Sequence, residues 1–509
     1  MKRLLTSSWA LLCAIALLRL PGFAFGVLNI DESDFLVFGA GIWKGLIPYR
    51  DFVEIKPPLG YFTYALAGGL SIWPIRVLGV LWVFATALLL RAAARRWTGS
   101  SEAGWAAAWL SLLASFVEIP AFGSEVMMNL PVAAALYFFA RGRRVRDLLA
   151  CGLCAGIATL YRHQAAILPM ALALAMLVRP ESGWRRAIAG VAVLGAATLA
   201  PWAVAGGVYA ALGQLPAFVD WTIARNLKYA GAGSAGSALA RGVASTALCV
   251  GVALVPWVLA AREAMRPRQD VVWRALTILL ALTCLSVAAG GRFYEHYFLQ
   301  FVPVLALLGA PGAAAIAARW RDLVPDARVA ALAGVLVPLV GWAGYSWARG
   351  IAGAYPSQEP RTNALAGWLR AHSAETDTLF VWGHYTPVFT LAQRLPGTRY
   401  VNTSVHMGNF DPLHLPAGFD ASQHRSQPDV DATLQDLQKR EPAWFVDTSP
   451  AGIHGWDRIP LSAFPELQRY RDEHYVEVAR PGGAAVYRRR APPAAEAAHL
   501  PGSLGATAR

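Results

Sequence analysis

Residues Ile30–Phe62 read IDESDFLVFGAGIWKGLIPYRDFVEIKPPLGYF, which crowds the carboxylates of Asp31, Glu32, Asp34, Asp51 and Glu54 around Arg50 and Lys56, between two apolar segments. The rest of the chain is poor in charge. Of its 509 residues, 56% are hydrophobic and 15% charged, with a mean hydropathy of +0.40, whereas a soluble domain carries about 25% charged residues. That composition is of a polytopic membrane protein. The net charge of +13 does not point to nucleic acid. The basic residues sit in short clusters between apolar runs, the pattern that membrane topology imposes on cytoplasmic loops.

The clusters at Lys2 and Arg3, then within 91–96, 141–146, 179–186, 262–274 and 319–328, are therefore expected on the cytoplasmic side. Between them, the runs 6–26, 75–95, 103–120, 126–140, 187–208, 243–261, 272–290, 299–318 and 329–348 approach the roughly 20 residues of a spanning helix. Leu148–Val178 lies between two basic clusters and must cross an even number of times. It is too short for two full spans, so it is expected as a short helical hairpin with Tyr161, Arg162, His163 and Gln164 at its tip. The sum is about 11 crossings, a cytoplasmic N-terminus and an exported C-terminal part. The first run reads as an uncleaved helix interrupted at Arg19 to Pro21. The AFG at 24–26 leaves signal-peptide cleavage as the alternative. Asp31 emerges outside in either case.

All five cysteines fall in apolar runs. Cys151 and Cys154 are spaced as C-x-x-C, but the small residues of CGLCAG are better read as close helix packing than as a redox or zinc motif. The organisation expected is a transmembrane module over 1–350 with external loop 27–74, an extracytoplasmic α/β domain over 351–490, and a disordered tail over 491–509. In the second unit, TNALAGWLRAHS, TPVFTLAQRL and VDATLQDLQKREP predict helices. TLFVWG, TRYVN and AWFVDTS predict strands, and YVEVARPGGAAVYRRR predicts a hairpin. It holds no phosphate-cradling glycine loop.

In the first loop, ESDFLVFGAGIWKG has helical spacing and ends at a glycine, and PPLGYFTYALAGGLSIW begins a second helix at proline. Both are expected to lie at the membrane interface. DE at 31–32, PYRDF after Gly45 and KPPLGYF from Lys56 resemble the first external loop of bacterial GT-C glycosyltransferases of the family 39 type, related to protein O-mannosyltransferases and the lipid A aminoarabinose transferase. GLCAGIATLYRHQA and GRFYEHYFLQFVPVLALLG resemble further segments of that family.

The resemblance implies a mainly α GT-C fold in a bacterial inner membrane. It also implies transfer, with inversion, of a sugar from a polyprenyl-phosphate carrier to a hydroxyl of an envelope acceptor. On that reading Asp31 matches the catalytic base and Lys56 the lysine beside the carrier phosphate. Arg292 and Arg162 are placed as further phosphate contacts, Arg162 alternatively facing a polar cavity. Glu32, Tyr49, Arg50, Glu54, Glu125 and His296 are placed as substrate contacts, with Glu125 alternatively a solvated turn carboxylate and His296 a core or interfacial histidine. A phosphate leaving group needs cations rather than a proton donor. No cofactor is fixed by the resemblance; the clustered carboxylates are compatible with Mg²⁺ or Mn²⁺, which some members of the family use and others do not. The alternative is a transporter or flippase of lipid-linked sugars, against which stands the lack of an evident two-fold repeat. Phe389, Arg394 and Tyr400 either line an acceptor surface or pack the domain.

Overall fold

A computed structural model describes residues 5–115, 120–181, 183–230, 235–408, 415 and 418–490; the tail expected at 491–509 lies outside the described residues. The first apolar run is a helix, Ser8–Leu18, that breaks at Arg19 and resumes as Leu20–Phe25. Arg19 is buried and donates to the carbonyl of Ala121 at 3.0 Å. The break expected from the sequence is thus a buried polar anchor rather than an interfacial kink.

Among the described residues, six helices are long and apolar enough to span a membrane. They are Ser8–Phe25, Trp73–Thr98, Trp184–Ala211, Val271–Ala288, Glu295–Ala318 and Pro325–Gln358. A seventh crossing results if Ala238–Val252 and Leu254–Ala264, bent by 93°, are one broken span. The other expected crossings are helical but shorter or more polar. Ser101–Ala114 has 14 residues, and Ser124–Arg141 carries Glu125, Asn129 and an internal proline. Leu148–Val178 is the expected hairpin, with Val145–Tyr161 and Ile167–Val178 joined by the 3₁₀ turn His163–Ala166.

The C-x-x-C helix packs as its small residues require. A Cβ on Gly156 would stand 2.3 Å from the carbonyl oxygen of Thr198, and one on Gly152 would stand 2.5 Å from that of Leu194. The helix therefore meets Trp184–Ala211 backbone to backbone, and the cysteines are free thiols.

The first-loop helix, Ile30–Trp43, is capped by the Asn29 side chain, which accepts from the Glu32 amide at 3.0 Å. It does not lie flat at an interface. Residues 32 to 41 are all buried, between the short helix Leu59–Ala65 on one side and the C-terminal domain on the other. Gly39 makes the first of these contacts close, since a Cβ there would lie 2.7 Å from the Ala65 nitrogen.

The C-terminal domain has a five-stranded sheet in the order β2-β1-β3-β5-β4. β1 (Thr378–Trp382) pairs in parallel with β2 (Leu395–Pro396) and with β3 (Trp444–Asp447). β4 (Tyr475–Ala479) and β5 (Ala485–Arg489) form the predicted hairpin, with β5 antiparallel to β3. Alternation along the strands serves two cores. Leu379, Val381, Trp444 and Val446 join the apolar core that is continuous with the helical module. Phe380, Trp382 and Phe445 fill the opposite face.

One strand prediction fails: TRYVN is irregular. Its polar groups are taken by a helix rather than a neighbouring strand. The Arg399 amide and Nε both donate to Asp436 Oδ2, at 2.7 and 2.9 Å, and the Tyr400 hydroxyl donates to Asp429 at 2.9 Å. The freed Arg399 carbonyl accepts from the Val53 amide at 3.0 Å, which ties the domain to the first loop.

Candidate active site

The first loop places its charges by helix geometry. About 100° separates successive side chains on a helix. Asp31 therefore keeps a third of its side chain exposed, while Glu32 points inward and is fully buried. Asp34, one turn on, returns to the face of Asp31.

Lys56 reaches both acids. Its Nζ lies 3.1 Å from Asp31 Oδ1 and 3.8 Å from Asp34 Oδ2, and 5.5 Å from the centre of the Phe35 ring. The lysine is held from behind. The hydroxyls of Tyr49 and Tyr61 each donate to its carbonyl at 2.8 Å. Tyr49 adopts a left-handed φ of 66° to do so, a conformation that a bulky residue keeps only where its surroundings impose it.

A second charged group lies within electrostatic reach of Asp31. Glu125 stands in the first turn of Ser124–Arg141 and Arg162 caps the end of Val145–Tyr161. Arg162 Nη1 donates to Ser124 Oγ at 2.8 Å and lies 3.0 Å from Glu125 Oε1, with the guanidinium 4.8 Å from the centre of the Tyr297 ring. His296 Nε2 is 3.6 Å from the same Glu125 oxygen. The two groups share one field. Burial opposes ionisation of Asp31, but Lys56, His296 and Arg162 outweigh it and hold the carboxyl down at about 2. Asp34 goes the other way. Burial first, then the charges of Glu54 and Asp31, push it up to about 8 against the pull of Lys56, so at neutral pH it keeps its proton.

Five predicted residues thus converge: Asp31, Lys56, Glu125, Arg162 and His296. Arg292 is buried, at the start of the segment that carries His296 and Tyr297. The others stand apart from this cluster. Glu32 forms a buried pair with Arg76, whose Nη2 is 2.8 Å from Oε2. It also accepts from the amides of Phe122 at 2.9 Å and Leu28 at 3.0 Å, which leaves no oxygen for a sugar. Its task is to hold the loop. Tyr49 uses its hydroxyl on Lys56. Arg50 is exposed and paired with Asp51 at 2.6 Å. Glu54 accepts from the Ile55 amide at 2.8 Å and adds negative charge near Lys56.

Sequence reasoning did not single out Asp34, Tyr61 or Arg76. The i, i+3 spacing of Asp34 from Asp31 was the available signal. Phe389 and Arg394 are buried in domain packing, and Arg394 donates to the Ser373 carbonyl at 2.6 Å, so the packing reading of these residues holds.

Among the described residues no three of His, Cys, Asp and Glu converge as a ligand set. The Asp31–Asp34 pair is already served by the Lys56 ammonium.

The whole architecture matches that of ArnT from Cupriavidus metallidurans bound to undecaprenyl phosphate. The TM-score is 0.58 and the identity 17%, covering 93% of this chain and 96% of that one. Residues 56–205 match the family model of dolichyl-phosphate-mannose-protein mannosyltransferases. The chain therefore shares the GT-C fold, and residues 56–205 carry its similarity to the mannosyltransferase family.

The same GT-C fold aligns with the Archaeoglobus fulgidus oligosaccharyltransferase, at a TM-score of 0.53 and 12% identity over 94% of this chain and 73% of that one. A lipid A galacturonosyltransferase, RgtD, from Rhizobium johnstonii is 30% identical over 164 residues. That match spans 31% of this chain and about a third, 35%, of the relative.

Proposed function

We propose that this GT-C protein is a membrane glycosyltransferase that moves a sugar from a polyprenyl-phosphate carrier to a hydroxyl of an envelope acceptor. The observation that carries the reading is the Asp31–Lys56 pair, a base and a cation 3.1 Å apart and both partly exposed, with the lysine anchored from behind by two tyrosines. The solved relative with undecaprenyl phosphate bound supports the donor class. The first loop and the C-terminal domain lie on one side of the helices, and we assign that side to the cell exterior from the basic clusters at the other end. No nucleotide sugar is expected there, so the donor brings its own activated bond.

In this mechanism the acceptor hydroxyl gives its proton to Asp31 as its oxygen attacks the anomeric carbon. The bond from that carbon to the phosphate oxygen breaks, and its electron pair leaves with the polyprenyl phosphate. Lys56, Arg162 and Arg292 stabilise the charge that develops. The configuration inverts because the acceptor enters opposite the leaving group.

The resting pair has a chemical consequence. With Lys56 upon it, Asp31 is too acidic to be a good base. A donor phosphate that draws Lys56 Nζ away loosens the hold, and the Asp31 pKa rises toward a useful value. The base is therefore activated by the arrival of the donor.

The test is purified protein given a polyprenyl-phosphate sugar and envelope extract, with transfer followed by mass spectrometry. Labelled sugar appearing in an acceptor, lost in Asp31→Asn, supports the reading. Movement of labelled lipid between leaflets with no transfer overturns it in favour of a flippase.

A further inference from the structure

The helix Trp73–Thr98 has 26 residues, about 39 Å at 1.5 Å per residue. Its first end lies beside the first loop. At its other end, among the basic clusters, it lines an open groove of about 590 Å³ formed by Arg96, Trp97, Ser100, Arg268, Asp270 and Pro311 among others. Small-molecule sites fall in that range of volume.

The wall is cationic in effect. Asp270 is the one acid on it, and its Oδ1 is already used, accepting from Trp97 Nε1 at 2.9 Å and from the Trp273 amide at 2.8 Å. Arg96 meets no carboxylate among the described residues and donates to the Arg141 carbonyl at 3.5 Å. Arg268 turns Nε to Glu263 at 2.8 Å, which leaves both Nη groups for another acceptor. Ser100 caps Ser101–Ala114, so the positive end of a 14-residue helix adjoins the same space. A second groove of about 500 Å³, lined by Arg179 and Arg274, adjoins it across Asp270.

We propose that the groove holds the phosphodiester headgroup of an anionic phospholipid, in the leaflet opposite the active site. Phosphate chemistry follows from two arginines and a helix start, set against the single lining carboxylate of Asp270 and the exposed Glu102 in the helix's first turn. A lipid source follows from the rest of the wall. Pro311 belongs to a spanning helix, Ala140 and Ala314 extend its apolar side, and Trp97, next to the last residue of the spanning helix Trp73–Thr98, is of the residue type enriched at membrane interfaces. Basic pockets between helices on the cytoplasmic side suit such headgroups. The site is independent of the transferase reading and lies a membrane thickness from Asp31.

The test uses the full chain in mild detergent. Short-chain phosphatidylglycerol, phosphatidylcholine and inorganic phosphate are compared by thermal shift and by equilibrium binding. Phosphatidylglycerol is expected to bind saturably and raise the Tm, with neither effect from the other two. Arg96→Gln breaks no ion pair and should weaken that binding at least about tenfold, the worth of one charge-assisted hydrogen bond. Arg268→Gln should do the same, and Glu263 keeps Arg266 at 3.1 Å in that variant. Arg319→Gln, an exposed arginine outside both grooves, should bind as the parent does. Equal weakening in Arg319→Gln would mean a diffuse charge effect and overturn the site. Equal binding of inorganic phosphate would overturn the lipid as its ligand, and equal binding of phosphatidylcholine would overturn the anionic requirement.

Discussion

Asn402 Nδ2 donates to Asp34 Oδ1 across 3.3 Å, joining the C-terminal domain to the first-loop helix one turn from Asp31. The bond suits a protonated acid as well as an ionised one, because the oxygen accepts in both. Asp34 is pushed up to about 8, by burial first and then by the charges of Glu54 and Asp31. A free aspartate ionises near 3.9, so between roughly pH 4 and pH 8 the folded chain keeps a proton that the unfolded chain has released. Stability contributed by that proton is complete at low pH and falls as pH rises through the window. Asp34→Asn keeps the acceptor oxygen and removes the titration. Its Tm should be flatter than the parent's between about pH 5 and 8 and higher at the upper end, as read by thermal unfolding across a pH series.

Asp31 and Lys56 should separate kinetically. Asp31→Asn leaves the cation in place but cannot take the acceptor proton, so kcat should fall by about 10²–10⁴-fold with little change in donor KM. Lys56→Met leaves the base but removes the ammonium that meets the phosphate, so donor KM should rise as well. Steady-state transfer with varied donor concentration tells the two apart. Equal effects on both parameters in both variants would contradict the division of labour.

Glu32 and Arg76 should matter for folding rather than for substrate. Each is fully buried and the pair is closed by main-chain partners, so Glu32→Gln or Arg76→Met leaves an uncompensated charge and should cost about 3–5 kcal/mol. Replacing both by methionine removes that charge and should recover much of the loss. Detergent-resistant folded yield and Tm report this directly. A Glu32→Gln protein of normal stability with a raised acceptor KM would return Glu32 to the substrate.

Much of this was legible in the sequence, and what was not has a physical reason. Charge clusters between apolar runs reveal a membrane module, and the tip of the hairpin was readable because Arg162 is costly in lipid. The run DES gives no sign of which acid turns inward. That depends on where Asn29 starts the helix, and a shift of one residue would exchange Asp31 with Glu32. Arg76 looks like the ordinary edge of a span, since its partner lies 44 residues away. The Arg225–Asp429 pair, 3.0 Å apart and 204 residues distant in sequence, likewise leaves no local trace. TRYVN has strand propensity, but it is drawn off by Asp436 and Asp429, which lie on a separate helix.

The pair Arg162–Glu125 offers the sharpest remaining test. The guanidinium reaches Ser124 Oγ and Glu125 Oε1 together while its face lies over Tyr297, a geometry that a lysine cannot reproduce. Arg162→Lys should therefore lower kcat/KM by about tenfold or more even though the charge is kept, because a hydrogen bond to a charged group is worth about 1.5–3 kcal/mol. Glu125→Gln removes the acid and frees Arg162 to take a phosphate, so the loss expected on its own is smaller. If the two side chains act as a unit, the double variant should lose less than the two single losses added together, with a coupling of about 0.5–3 kcal/mol. Strict additivity in that cycle, read from kcat/KM, would mean that Arg162 and Glu125 serve the site independently and that the contact at 3.0 Å carries no weight in the reaction.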